Sequence, residues 1–182
     1  MSFILSCLYP GVVKFGITRG LGNKLLKIKI NMDITLKRGL LTEIECQKAF
    51  INLGYSVSIP LGNFDKYDMI VDVEGKLLRI QCKTSKHASD SDAICFSCQT
   101  TTTNTKKTVR HTYSKDDIDY FMTFWDGKCY LIPVEECSTQ KYIRFTAPLN
   151  NQWSKITWGP DYEVDKVINH IKNNEPISKT NC

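Results

Sequence analysis

Tyr67-Asp-Met-Ile-Val-Asp-Val73 is followed in the sequence by Glu74-Gly75 and then by Lys76-Leu-Leu-Arg-Ile-Gln-Cys-Lys83. The two outer runs alternate in the manner of β-strands, and the Glu-Gly pair between them is typical of a two-residue hairpin turn. This turn makes Val73 face Lys76, and the same register sets Asp68 opposite Gln81. One face of the hairpin is then wholly apolar and is predicted to be core: Tyr67, Met69, Val71, Val73, Leu78, Ile80 and Cys82.

The opposite face of the hairpin collects polar groups. Asp68 and Gln81 face each other, and Lys83 shares their side of the sheet, so the three side chains are expected within about 5–8 Å of one another. This set suits hydrolysis of a phosphodiester bond. Asp68 offers a hard oxygen ligand for Mg²⁺, with Mn²⁺ as a possible substitute, while Gln81 and the backbone carbonyl of Cys82 offer neutral oxygens. Lys83 is expected to hold the attacking water or to stabilise charge on the phosphate.

An acidic residue precedes the hairpin on a predicted helix. Residues 40–53 carry an apolar stripe, and Gly54 follows as a helix stop. Glu43 lies on this stripe, and a carboxylate on a core-facing side needs a reason. We interpret Glu43 as a further metal ligand or as the group that positions a water. The alternative is a solvated helix residue. The stripe consists of Cys46, Ala49, Phe50 and Leu53.

The rest of the chain indicates an α/β domain with a central mixed sheet flanked by helices. Residues 84–112 are polar, and the threonine tract Thr100–Thr105 is interpreted as part of a flexible loop. The further predicted elements are strand Ala93–Ser97, helix Lys115–Phe124, strands Cys129–Val134 and Tyr142–Phe145, and helix Tyr162–Ile171.

Three segments are distinguished along the chain. Residues 1–31 are predicted to form an accessory basic β-hairpin or arm, residues 32–174 the main domain and residues 175–182 a polar tail. Residues 1–38 hold seven basic side chains and one acid, whereas the remainder holds 17 basic and 18 acidic ones. A basic arm ahead of a neutral domain favours a polyanionic partner, although a solvated flank would look similar.

Composition excludes several classes of protein. With 42% hydrophobic and 24% charged residues the chain is neither disordered nor fibrous. No apolar run reaches the ~18 residues of a membrane span, and no signal peptide is expected. The eight scattered cysteines favour reduced thiols in a cytoplasmic protein. Cys95 and Cys98 have the spacing of half a zinc site, but buried strand cysteines are the favoured interpretation. No organic cofactor is expected.

Two groups of side chains are candidates for contact with nucleic acid. Lys106, Lys107 and Arg110 are interpreted as phosphate contacts, and a merely solvated loop is the alternative. The polar run at residues 150–152 offers amides that read adenine edges well, or else cap a loop. These residues are Asn150, Asn151 and Gln152.

The motifs, taken in order, resemble those of the PD-(D/E)XK nucleases. A helix glutamate is followed by a strand aspartate and then by X-x-K on the next strand, and the resemblance covers roughly residues 36–165. Glutamine at the second acidic position is similar to the branch associated with group I introns, whose characterised type is a homing endonuclease. The residues that show this resemblance are Gly39-Leu-Leu-Thr-Glu43, Gly54-Tyr-Ser-Val57, Pro60, Tyr67–Asp72, Ile80–Thr84, Tyr113, Asp117–Phe121, Tyr130–Pro133, Arg144 and 150–152.

This resemblance implies a restriction-endonuclease-like core and metal-dependent cleavage of double-stranded DNA. It makes Glu43, Asp68, Gln81 and Lys83 the catalytic residues. Cutting both strands needs two active sites, so a homodimer or homotetramer is expected. Gln81 removes one negative charge from the usual pattern, which predicts weaker metal binding. Two alternatives stay open, a structure-specific nuclease resembling Holliday junction resolvases and a catalytically inactive DNA-binding module.

Overall fold

The computed structural model describes residues 34–62, 64–88, 92–104, 107–146 and 156–179, with the side chains of 102–104 and 107 left out. The chain divides between Lys37 and Arg38 into two units. All the elements below except the first turn of the first helix belong to the unit that begins at Arg38. The accessory hairpin predicted for residues 1–31 lies outside the described residues. None of the described helices is long and apolar enough to cross a membrane.

The elements follow one another as helix, strands and closing helix. Short 3₁₀ turns lie at Val134–Glu136 and Gly159–Tyr162. In chain order the elements are helix α1 (Ile34–Asn52), strands β1 (Val57–Ser58), β2 (Met69–Val73), β3 (Lys76–Cys82), β4 (Lys86–His87), β5 (Ala93–Ser97), β6 (Gln99–Asn104), β7 (Lys107–Thr112), β8 (Tyr120–Trp125), β9 (Lys128–Pro133) and β10 (Gln140–Arg144), and helix α2 (Val164–Asn173).

The main sheet has the order β1-β2-β3-β8-β9. Strands β3 and β8 run parallel and the other pairs antiparallel, so the mixed sheet predicted from the sequence is confirmed. The hairpin register is also confirmed, since Val73 faces Lys76 and Met69 faces Ile80. Glu74 and Gly75 both have positive φ, as a two-residue hairpin turn of this kind requires. The Asp72 carboxylate accepts a 2.7 Å hydrogen bond from the Gly75 N–H and braces the turn.

Each face of the main sheet is covered. The apolar face of the hairpin, from Met69 to Cys82, is buried beneath α1, whose Cys46 thiol contacts those of Cys82 and Cys129. The other face meets a second sheet of order β10-β5-β4, where the Phe96 ring lies 5.9 Å from that of Phe121. The polar groups of the hairpin therefore project into the space between two sheets, at the ends of β2 and β3.

Two sequence predictions between residues 99 and 124 are wrong. The helix predicted at Lys115–Phe124 is a turn followed by β8, because the aromatic run Tyr120–Trp125 pairs on both sides in the sheet. The turn is closed by Asp117, whose carboxylate accepts a hydrogen bond from the Ser114 N–H at 3.0 Å. The polar segment predicted to be a flexible loop is an antiparallel ribbon of β6 and β7, because β-branched threonines favour strands.

Candidate active site

Asp68 and Gln81 meet at the open end of the hairpin. Asp68 immediately precedes β2, and its N–H donates to the Ile80 carbonyl at 2.8 Å, which extends the ladder by one residue. The Gln81 side chain is only 9% exposed. Its Nε2 donates to Oδ2 of Asp68 at 2.5 Å and to the backbone carbonyl of Cys82 at 3.2 Å. The Cys82 N–H donates to the same Asp68 oxygen at 2.6 Å, so this carboxylate is held firmly.

Asp68 sits in an environment that disfavours its charge on balance. Burial raises its pKa, although the Cys82 N–H, the charge of Lys83 and the Gln81 amide all act to lower it. Glu43 shows the same direction, since burial and the nearby charge of Asp68 raise its pKa. A cation bound between the two carboxylates would favour the charged form of both.

Glu43 reaches the site from α1. The buried face of that helix is Thr42, Cys46 and Phe50, and Glu43 lies half-buried beside it. The apolar stripe extends less far than predicted, because Leu53 at the end of the helix is 40% exposed. The Thr42 hydroxyl donates to the Arg38 carbonyl at 2.9 Å, and its oxygen then accepts the bond of 3.2 Å from Thr84. This contact ties α1 to the residue that follows Lys83.

Lys83 follows β3 directly and is half-buried on the same side as Gln81. Its N–H donates to the Met122 carbonyl at 2.8 Å, which continues the parallel pairing with β8. Burial lowers the pKa of Lys83, while the negative charge of Asp68 opposes that shift. The structure thus brings all four predicted site residues, Glu43, Asp68, Gln81 and Lys83, to one end of the hairpin.

A fifth side chain, Tyr113, completes this cluster and was not among the predicted site residues. Its hydroxyl donates to Oε1 of Gln81 at 3.2 Å and accepts from Nζ of Lys83 at 3.4 Å. Nζ of Lys83 also lies 4.9 Å from the centre of the Tyr113 ring. Tyr113 is one of the residues that carry the family resemblance, but no spacing rule connects it with the hairpin.

The family model of the PD-(D/E)XK endonucleases matches residues 34–165, which contain all five of these residues and most of the chain. The chain belongs to this family. Among solved structures, the bacterial homing endonuclease I-Ssp6803I has a similar fold, with a TM-score of 0.64 over 78% of this chain and 97% of that chain. The two sequences are 22% identical, so the likeness concerns the fold. A comparison with curated proteins found no match.

The nuclease presents oxygen donors that fit a hard divalent cation. Carboxylates come from Glu43 and Asp68, and the Cys82 carbonyl is a neutral oxygen beside them. The Gln81 amide oxygen faces Tyr113, and it would join this set if the amide turned toward Asp68. Mg²⁺ is usually held by one or two carboxylates together with waters and substrate phosphate, so this short set is sufficient. The described residues contain no group of three or more His, Cys, Asp or Glu side chains able to hold a metal. Cys95 is buried on β5, and Cys98 is buried between β5 and β6, where its thiol contacts that of Cys137.

The predicted DNA contacts are described only in part. Arg110 is exposed on β7, whereas Lys106 and residues 150–152 lie outside the described residues, and only the backbone of Lys107 is described. The sequence contains no Asp or Glu from Ala93 to Lys115, so the whole β6–β7 ribbon lacks negative charge. The last residue of the ribbon, Thr112, immediately precedes Tyr113. A neutral-to-basic ribbon is therefore joined directly to the candidate active site.

Proposed function

We propose that this nuclease is a Mg²⁺-dependent endonuclease that cleaves double-stranded DNA at specific sites, in the manner of a homing endonuclease. The observation that carries the proposal is the convergence of Glu43, Asp68, Gln81 and Lys83 at the end of one hairpin. Membership of the PD-(D/E)XK endonuclease family supports cleavage of phosphodiester bonds. The fold shared with I-Ssp6803I, which is called a homing endonuclease, supports site-specific cleavage.

In the proposed mechanism, three of the side chains bind the metal and Lys83 acts on the water or the phosphate. Glu43, Asp68, Gln81 and the Cys82 carbonyl would hold the metal. Bound Mg²⁺ would neutralise charge on the scissile phosphate and lower the pKa of the attacking water. Lys83 orients that water or stabilises the phosphate from its half-buried position. Burial lowers the pKa of Lys83, which is the direction that favours proton exchange with a nearby water.

The β6–β7 ribbon is the proposed DNA-contacting element. A two-stranded ribbon fits the major groove of B-DNA, and exposed threonine and arginine side chains contact phosphates and base edges. Thr101, Thr108 and Arg110 are exposed along it. Cleavage of both strands requires two sites, so the working form is proposed to be a homodimer or homotetramer.

The experiment that tests this function is a cleavage panel with the purified chain. The substrates are a random-sequence duplex library, genomic DNA and a synthetic four-way junction, each incubated with Mg²⁺, with Mn²⁺ and with EDTA. We expect the protein to make metal-dependent double-strand cuts at a recurring sequence in the library. Cutting of the junction alone, whatever its sequence, would indicate a junction resolvase instead. DNA binding without cutting of any substrate would indicate a non-catalytic module.

A further inference from the structure

Tyr113 occupies the junction between the DNA-contacting ribbon and the hairpin. It follows β7 directly, and its ring is half-buried, edge-on to Phe121 with centroids 5.3 Å apart and planes at 85°. Phe121 lies on β8 beside Gln81 of β3. The ring is therefore held by the sheet, while its hydroxyl points at Gln81 and Lys83.

The hydrogen bonds around this hydroxyl run in one direction. Lysine carries only donors, so Nζ of Lys83 donates to the Tyr113 oxygen. The tyrosine has a single proton, which goes to Oε1 of Gln81. The Gln81 amide then turns its Nε2 toward two groups that can only accept, the Asp68 carboxylate and the Cys82 carbonyl. The result is a chain from Lys83 through Tyr113 and Gln81 to Asp68.

We propose that Tyr113 is a positioning residue, whose hydroxyl fixes both Lys83 and the Gln81 amide at the active site. This inference rests on the proposed nuclease function. Lysine has a long flexible stem, and without an anchor its ammonium group samples many rotamers. Tyr113 anchors the Lys83 ammonium group through both its hydroxyl and its ring, in addition to the attraction of the Asp68 charge.

The hydroxyl also suits Gln81 in a way that an apolar side chain would not. A phenol both donates and accepts, so it partners the Gln81 amide whichever way the amide is turned. With Oε1 turned toward Asp68, as metal ligation by Gln81 requires, Nε2 would still find an acceptor in Tyr113. The one hydroxyl therefore keeps Gln81 satisfied in both orientations.

The plain alternative is that Tyr113 merely supports the packing between the sheets. Tyr113→Phe separates the two roles, because it keeps the ring, its contact with Phe121 and the cation–π contact with Lys83. The matched control is Tyr142→Phe. The Tyr142 side chain is 53% exposed, and its hydroxyl bonds only Gln140 within the described residues. Both variants are made in the full chain.

Two measurements test the inference. The first is the single-turnover cleavage rate with Mg²⁺, compared with DNA affinity measured in Ca²⁺. We expect Tyr113→Phe to slow cleavage by roughly tenfold to a hundredfold, as for a misplaced catalytic group, with DNA affinity unchanged within about twofold. The second is proton exchange of the Gln81 side-chain amide, followed by NMR in EDTA. We expect this exchange to be faster in Tyr113→Phe and unchanged in Tyr142→Phe.

The outcomes that overturn the inference are distinct from those that overturn the function. Wild-type cleavage kinetics in Tyr113→Phe, or unaltered Gln81 exchange, would show that the hydroxyl positions nothing. Equal losses of cleavage, DNA affinity and melting temperature would assign it a structural role only. If the wild-type chain cuts no DNA, the proposed function fails, and the Gln81 exchange measurement still decides whether Tyr113 holds the amide.

Discussion

Nε2 of Gln81 lies 2.5 Å from Oδ2 of Asp68, so an amide nitrogen occupies the side of the carboxylate where the family's usual second acid would place a negative charge. The same nitrogen lies 3.2 Å from the Cys82 carbonyl. The partial positive charge of this amide lies between two oxygens, which would also attract a cation. Glutamine therefore keeps the metal-free site satisfied, where glutamate would set two carboxylates against each other.

Gln81→Glu tests this relationship. We expect the variant to be less stable than wild type in EDTA, by on the order of 1 kcal/mol, because the new carboxylate faces Asp68. We also expect Mg²⁺ to raise its melting temperature more than that of wild type, since a further negative ligand strengthens cation binding. Thermal unfolding in EDTA and across a Mg²⁺ titration measures both effects. Gln140→Glu, at an exposed position on β10, is the control. Equal stability of Gln81→Glu and wild type in EDTA would refute the role given to the amide.

Glu43 is expected to lower the stability of the metal-free protein near neutral pH. Its pKa in the folded chain is raised above the ordinary value of 4.5 by burial and by Asp68. A folded-state pKa that is raised favours the protonated form, so the associated stability is present below pH 4.5 and is lost as pH rises through the higher value. Glu43→Gln should therefore raise the melting temperature slightly at pH 7 in EDTA and have no such effect at pH 4. Because the side chain is half exposed, solvent screening limits the gain to a few tenths of a kcal/mol, roughly.

The control for this prediction lies on the same helix. Glu45 pairs with Lys48 at 3.2 Å on the exposed side of α1, and Glu45→Gln should not stabilise the protein. A Glu43→Gln variant that is less stable than wild type at pH 7 would mean that Glu43 is held by partners that favour its charge.

The sequence was most informative at one short turn, which determined how β2 pairs with β3. Glu74-Gly75 fixed the register, and a one-residue shift would have sent the apolar residues of β2 and β3 to the wrong face. Asp68, Gln81 and Lys83 were therefore predictable from alternation alone. Tyr113 was not, because it lies 32 positions from Gln81 and reaches it only through the packing of the ring on Phe121.

The failed helix prediction at Lys115–Phe124 has a related cause. Its acidic start, Asp116 to Asp119, looks like a helix N-terminus, but Asp117 closes a turn and Asp119 bonds a residue of β3. Asp119 accepts hydrogen bonds from the Arg79 backbone at 2.8 Å and from its guanidinium at 3.0 Å. Pairing of β8 with both β3 and β9 outweighs local helix propensity, and such pairing is visible only once the sheet is assembled.

Arg110 is the described side chain best suited to test the DNA-contacting ribbon. If it contacts a phosphate, Arg110→Ala should weaken binding to all duplexes alike and reduce the slope of log affinity against log salt by about 1. Fluorescence anisotropy with labelled duplexes in Ca²⁺, at several salt concentrations, measures both quantities. Lys48→Ala, on α1, is the control for loss of a positive charge. An unchanged salt slope in Arg110→Ala would remove Arg110 from the interface, and a loss confined to one sequence would make it a base contact.

Lys83 is proposed to act beside the two carboxylates in metal-dependent cleavage, and the single-turnover cleavage rate of Lys83→Ala measures this role. The substrate is a duplex that the wild-type chain cuts, assayed with Mg²⁺ and with EDTA, beside the exposed-lysine control Lys166→Ala. We expect cleavage by wild type and by Lys166→Ala to require Mg²⁺. We expect Lys83→Ala to bind the duplex still but to cut it at least about a hundredfold more slowly. Cleavage by Lys83→Ala at the wild-type rate would place the chemistry elsewhere in the molecule.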